Sequence, residues 1–466
     1  MKDLSLLERL RQNSTDGRIP FHMPGHKRNT ARFPYLQNLS AAEDITEIDG
    51  FDNLHGAQEI LADAMSRAAA LWHSEHAYFL VNGSSCGILA GIRALTKRGD
   101  TVLLSRNAHK SVYHAIELCG LKPVFLMPPY DCARGMFLSL PPEEVRAALE
   151  AHPEVRLVIL TSPTYEGVLS DTAAIAGIAH MKGIPLLVDG AHGAHLGLSA
   201  DFPRSAVQDG ADIVICSLHK TLPSLTQTAI LHAGGMYVDQ ARLAHQLAVF
   251  ETSSPSYLFL ASMDGCVRAL EDGAVMADWS ARLRAFDVAL GEGEHLQIPY
   301  HGNMAQNIPG VFAYDPSKIF VAGTDGAALA DYLRQQGIEP EMVTPTGVLL
   351  MSGAGDSPEM LVSLARVIRE ADKVLPSCTA SEMPFFADTP ETHLPPEEAL
   401  EMRWEFVPPE HAGGRVAAEY LWAYPPGIPC LLPGERIPAD FSSHIGGIDW
   451  HSTRGKMPAQ IAVLTE

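Results

Sequence analysis

The 466-residue chain has no cysteine pair at C-x-x-C spacing, no apolar stretch of membrane-spanning length and a deficit of positive charge. Its seven cysteines (86, 119, 132, 216, 266, 378 and 430) are odd in number and scattered, which excludes a disulfide framework or a zinc ribbon. No metal site is expected. Lys and Arg total 34 against 55 Asp and Glu, a formal charge of -21. Phosphate backbones are bound by clustered cations, so no nucleic-acid partner is expected, and the acidity serves solubility. No run approaches the ~18–20 apolar residues that span a bilayer. The first residues, "MKDLSLLERLRQNSTDGR", contain no apolar core of a signal peptide and read as a short amphipathic helix. No membrane partner and a reducing, cytoplasmic setting follow as expectations.

What the chain does hold is core material: 46% hydrophobic against 19% charged residues, enough for more than one domain. Residues 1–60 read as a helix and an arm rich in loop signals. From 61 to about 290, helical stretches such as "GAQEILADAMSRAAALW" and "TAAIAGIAHMKG" alternate with short apolar runs. That alternation predicts an α/β large domain on a mainly parallel sheet. Residues 291–466 change texture and predict a smaller C-terminal α+β domain, with a Pro- and acid-rich connection near 376–398.

Five apolar runs of the large domain end in chemistry. "AYFLV" leads into Asn82-Gly83-Ser84-Ser85, "TVLLS" into Arg106-Asn107-Ala108-His109-Lys110-Ser111, and "RLVIL" into Thr161-Ser162-Pro163-Thr164-Tyr165-Glu166. "PLLV" leads into Asp189-Gly190-Ala191-His192, and "DIVI" into Cys216-Ser217-Leu218-His219-Lys220. In open α/β sheets ligands sit outside the carboxyl ends of strands. "NGSS" opens a helix, where Gly83 allows a tight turn and the hydroxyls suit either a phosphate or a plain N-cap. Asp189 at the end of an apolar run needs a cation or strong donors, such as a protonated heterocyclic nitrogen or a buried Arg. A desolvated Lys220 would have a neutral amine able to attack a carbonyl, although an isolated lysine more often reaches solvent. A phosphate cradle, a carboxylate for a ring nitrogen and a Schiff-base lysine are together the requirements of pyridoxal 5'-phosphate.

The stretches "FHMPGHK" (21–27), "NGSS" (82–85), "RNAHKSVYHA" (106–115), "SPTYEG" (162–167), "VDGAHGAH" (188–195), "SLHKTLPSLTQ" (217–227) and "YPPGIP" (424–429) resemble the ornithine/lysine/arginine decarboxylase family. The match runs in order from about residue 20 to 435 of the chain. The resemblance implies an aspartate-aminotransferase-like, fold type I pyridoxal-phosphate enzyme that decarboxylates a basic L-amino acid, in polyamine synthesis or acid resistance. It implies that Lys220 carries the cofactor, Asp189 pairs with the pyridine nitrogen, His192 lines the ring's polar edge and His109 stacks on the ring. Gly83, Ser84, Ser85 and Ser217 would hold the phosphate with His219 beside them, and His219 or Lys220 would protonate the substrate carbon. "TSSPSY" (252–257) is similar to the segment that reaches a neighbouring subunit's phosphate, and "FHMPGHK" to a loop lining the partner's site. Both imply a homodimer or higher homo-oligomer with shared active sites.

Two departures accompany the resemblance: Gly190 stands where the family commonly has glutamate, and "NGSS" replaces the commoner "NGST". Longer relatives begin with a response-regulator-like domain. This chain starts almost at the decarboxylase core, so an assembly built on that domain is not expected. The acidic residue that reads the substrate's distal charge is open among Asp44, Glu47, Asp49, Asp52, Glu166 and Glu435. An aminotransferase of the same fold, with Arg403 or Arg415 holding a carboxylate, and a non-catalytic regulatory protein with this fold are the alternatives.

Overall fold

A computed structural model describes residues 4–15, 40–301, 308–378, 390–423, 428–444 and 450–465. The "FHMPGHK" motif and positions 424–427 of "YPPGIP" lie outside the described residues, as does 379–389 of the Pro- and acid-rich connection. In chain order the elements used below are α1 (Leu6–Thr15), α2 (Ile60–Trp72), β1 (His76–Leu80), α3 (Gly83–Leu95), β2 (Thr101–Ser105), α4 (Lys110–Cys119), β3 (Lys122–Leu126), α5 (Pro142–Ala151) and β4 (Val155–Thr161). They continue with α6 (Thr172–Met181), β5 (Leu186–Asp189), β6 (Ile213–Ser217), α7 (Leu218–Thr221), β7 (Ala229–Ala233), α8 (Gln240–Phe250), α9 (Tyr257–Leu270) and α10 (Ala274–Leu290). All five apolar runs singled out in the sequence form strands.

The chain divides into two compact units, one of residues 1–94, 190–281 and 353–356, the other of 95–189, 282–352 and 357–466. In the first unit β7 is central, antiparallel to β1 (Tyr78 opposite Leu231) and to β6 (Leu231 opposite Ile215). The N-terminal helix expected from the sequence forms as α1 and buries Leu6 and Leu10. Its first turn is held by Asp264 of α9, whose carboxylate accepts from Leu6 N at 3.0 Å and also pairs with Arg67 of α2 and with Arg268. One buried carboxylate thus ties three helices together.

Helix α3 lies unusually close to two strands. A Cβ on Gly87 would fall 2.6 Å from Leu80 Cδ1 and 3.1 Å from Ile215 Cγ2, so a side chain there would require the Leu80 and Ile215 side chains to shift. Further along, Trp279 of α10 is fully buried with its ring centroid 4.9 Å from both His195 and Phe202. The Trp72 indole donates to Ala194 O at 2.7 Å. These aromatic contacts fix the segment that follows β5.

In the second unit β5, β4, β2 and β3 form a wholly parallel ladder in that order. Every residue of β2 and β5 is buried. This is why they read as continuous apolar runs rather than alternating ones: helices cover both faces of such a sheet. From residue 313 onward the pairing becomes antiparallel. Strands Lys318–Ala322, Gly347–Met351 and Met342–Thr344 carry the helices Gly326–Gln335 and Pro358–Val374. The chain ends with Trp404–Val407 paired to Ile461–Leu464, and Leu421–Ala423 lying between Ile428–Leu431 and Trp450–Ser452. This is the α+β C-terminal texture expected from the sequence.

Trp279→Ala should leave a large cavity and destabilise the protein by about 3–5 kcal/mol. The shift of the urea unfolding midpoint at unchanged m-value checks this.

Candidate active site

The first unit brings together the residues predicted to meet phosphate and amine. Gly83 adopts φ +76°, a left-handed conformation that turns the chain from β1 into the 13-residue helix α3. Ser84 is buried, and its Oγ lies 2.6 Å from Oγ of Ser217 at the end of β6. Ser85 is exposed one position on. Two hydroxyls thus meet beside a helix N-terminus, whose first amide groups have no intrahelical acceptor.

Strand β6 passes without a loop into the single turn α7, which carries His219 and Lys220. Lys220 Nζ is 2.7 Å from Nε2 of His192. His219 Nδ1 is 2.8 Å from the Thr228 carbonyl, so this nitrogen donates its proton there and Nε2 is left as the basic atom of the neutral ring. The backbone after β5 is tied to β6 by Gly190 N to Ile215 O at 2.9 Å and Ser217 N to Ala191 O at 3.2 Å. That pairing aligns His192 with Lys220. A Cβ at Gly190 would meet Val214, Ile215 O and Cys216 at 3.3–3.4 Å, so the residue is in close contact with β6.

In the second unit Asp189 ends β5 opposite Thr161 and is 3% exposed, while its carbonyl accepts from Ser162 N at 3.1 Å. His109 is the N-cap of α4, with Nδ1 accepting from Ser111 N at 3.2 Å and lying 2.8 Å from Ser111 Oγ. An N-cap role for the imidazole holds the ring in one orientation with Nδ1 unprotonated.

The residue at the start of this loop is also clamped. Arg106 is 4% exposed, pairs with Glu435 Oε2 at 3.0 Å, donates to Cys430 O at 3.1 Å and to the Tyr113 hydroxyl at 3.0 Å. Tyr113, on α4, donates back to Arg106 O at 2.6 Å. Burial opposes the Arg106 charge, but Glu435 and Tyr113 more than offset it and hold the guanidinium protonated. Burial pushes Glu435 up to about 7 against the opposing pull of Arg106.

Of the six carboxylates considered for the substrate's far end, Glu435 is therefore committed to Arg106. Asp52 is occupied as well, accepting the amide protons of Asn53, Gln58, Glu59 and Leu61 at 2.8–3.2 Å. Burial would raise it, yet these amides outweigh burial and hold it below the usual carboxylate range. Glu166 is buried, and burial raises it. The arginines of the aminotransferase alternative are also accounted for. Arg415 donates to Glu405 Oε1 at 2.9 Å and to Leu464 O at 2.8 Å, and Arg403 is exposed.

Within the first unit, hydroxyls at a helix N-terminus and an amine held against an imidazole fit the phosphate and the aldehyde of pyridoxal 5'-phosphate. Fold and donor set define a fold type I pyridoxal-phosphate enzyme. Profiles of the Orn/Lys/Arg decarboxylase major domain and of its C-terminal domain match residues 5–283 and 380–447, and the chain belongs to this family. It is 33% identical to an arginine decarboxylase of Bacillus cereus over 92% of this chain and 96% of that one. It is 32% identical to an arginine decarboxylase of Bacillus anthracis over 94% and 92%. The Escherichia coli constitutive lysine decarboxylase shares the fold, with a TM-score of 0.83 at 19% identity over 99% of this chain and 82% of that one. The protein is a pyridoxal-phosphate-dependent decarboxylase of a basic amino acid.

Sequence reading gave Arg106 no partner and Tyr113 no role. The pairing joins residues 329 positions apart, and no local pattern announces it. Glu435→Ala should destabilise the protein by about 3–5 kcal/mol, because it strands a buried guanidinium, whereas Glu435→Gln should cost clearly less. Urea unfolding of both variants measures the difference.

Proposed function

We propose that the substrate is L-arginine, converted to agmatine and carbon dioxide. Arginine decarboxylases matching at 32–33% identity over more than nine-tenths of the chain support this, against 24% for the Escherichia coli lysine enzyme. In this reading Lys220 Nζ binds the cofactor, Asp189 holds the pyridine nitrogen protonated, and His192 and His109 orient the ring at its edge and face. Gly83, Ser84, Ser85 and Ser217 receive the phosphate, with His219 beside them. Bound pyridoxal phosphate supplies an electron sink for the bond between Cα and the carboxylate. With Nδ1 kept on Thr228 O, Nε2 of His219 takes up a proton, and the imidazolium then delivers that proton to Cα, with Lys220 Nζ as the alternative donor.

The division into an arm (1–60), a cofactor-binding domain (61–290) and a C-terminal domain (291–466) belongs to the same proposal. So does a homodimer in which "TSSPSY" serves the neighbouring subunit. Within its own chain the Thr252 carbonyl meets His55 Nε2 at 2.9 Å, and Tyr257 donates to Asp52 O at 2.6 Å. A cytoplasmic location is proposed from the seven cysteines, none of which forms a disulfide. No helix among the described residues is long and apolar enough to cross a membrane.

Incubation with arginine, lysine and ornithine should release carbon dioxide and amine fastest from arginine. Faster turnover of lysine or ornithine would overturn the arginine assignment, and keto acid without carbon dioxide would favour the aminotransferase. Lys220→Ala should lose activity and the visible absorption band of the bound cofactor together. His219→Gln should lower kcat by about 10²–10⁴-fold with the cofactor still bound, and an unchanged kcat assigns the proton to another group.

A further inference from the structure

The first unit contains a cavity of about 330 Å³ on the outer side of β1, between α2 and α8. Leu54, Met65, Phe79, Ala244 and Leu247 form apolar walls, His55, Gln58 and Tyr78 add polar groups, and Glu251 is the one carboxylate among its lining residues. Its volume is at the small end for ligand sites and suits a short chain.

Glu251 follows the last turn of α8 and is 8% exposed. Its Oε1 accepts from Val81 N at 2.8 Å. An amide satisfies a lone pair but carries no net charge to balance a buried carboxylate. Burial pushes the Glu251 carboxyl up to about 7, against hydrogen bonds from the Val81 and Asn82 amides. A cation on an aliphatic stem would complete the site: the stem lies along the apolar walls and the charge meets the carboxylate in a charge-assisted hydrogen bond. An amino acid would also bring a carboxylate, which the Glu251 carboxylate repels, whereas it attracts the second cation of a decarboxylated product.

We propose that this cavity is a second, regulatory site for an alkylammonium or alkylguanidinium ion. Given the decarboxylase reading, on which the ligand's identity rests, the reaction generates such ions, because removing the carboxylate leaves one aliphatic chain with the distal cation at one end and the freed amine at the other. The site is coupled to the cofactor cradle through the Val81 and Asn82 amides. Val81, held by Glu251, is followed directly by Asn82, Gly83 and Ser84, so a cation competing for the carboxylate changes the bond that fixes the entry to α3.

Calorimetric titration of the holoenzyme with agmatine tests this. Wild type should show two classes of site per chain. Glu251→Gln keeps an oxygen acceptor for Val81 N and should weaken one class by about tenfold or more. Ala244→Trp, an exposed position on the cavity rim, should block the same class while arginine turnover is retained. Butylamine should occupy this class and butyrate should not. A single class in wild type, or two classes surviving in both variants, overturns the proposal. Carbon dioxide release is measured on the same preparations. Its absence in wild type with any of the three basic amino acids defeats the decarboxylase reading, whereas turnover without a Glu251-dependent class defeats only the second site.

Discussion

The close approach of α3 to β1 and β6 is the constraint on which the candidate site depends. With Gly87 at the contact, the helix settles against Leu80 and Ile215, and its N-terminus comes level with the end of β6. Ser84, at the start of the helix, then meets Ser217. A side chain at position 87 would have to displace the Leu80 and Ile215 side chains that pack against this helix. Because α7 follows β6 without a loop, the same placement sets Lys220 three residues beyond the cradle and within reach of His192.

A second constraint acts on the His109 loop. Arg106 is buried, so its charge has to be met, and Glu435, Cys430 O and Tyr113 meet it from the far end of the chain and from α4. This pair is costly to assemble, since both ions are desolvated, and still more costly to break. It fixes the point at which β2 becomes the turn that positions His109 as the cap of α4. The arrangement also removes Glu435 from the acids that could read a substrate, leaving it a structural counter-ion.

Much of the fold was legible in the sequence because strands buried on both faces have no polar alternation to obscure them. "TVLLS", "RLVIL" and "PLLV" became β2, β4 and β5, with the polar residues proposed for the site at or just beyond their ends. The resemblance to basic amino acid decarboxylases rested on those same strand-end motifs, and the family assignment agrees with it. The antiparallel strand β7, which pairs β1 with β6, was not anticipated from "AILHA": nothing in four apolar residues and a histidine distinguishes an antiparallel centre from a parallel edge. Lys318 shows the same limit. It is fully buried against Asp315 at 3.0 Å, in a stretch that reads as an ordinary surface turn.

Short-range order therefore came from the residues themselves: apolar runs, glycines at turns, caps, and the run of Ser217, His219 and Lys220 behind one strand. These depend on neighbours a few positions away, and their physics is local. Which polar groups are free for chemistry depended on partners from 7 to 329 positions away. Asp52 is taken up by amides of the following turn, Arg415 by Glu405, and Glu435 by Arg106, while Glu251 reaches the amide before the cradle from 170 positions away. A charge can be assigned to binding or to structure only when its partner is known, and partners of buried charges are chosen by the packing of the whole unit.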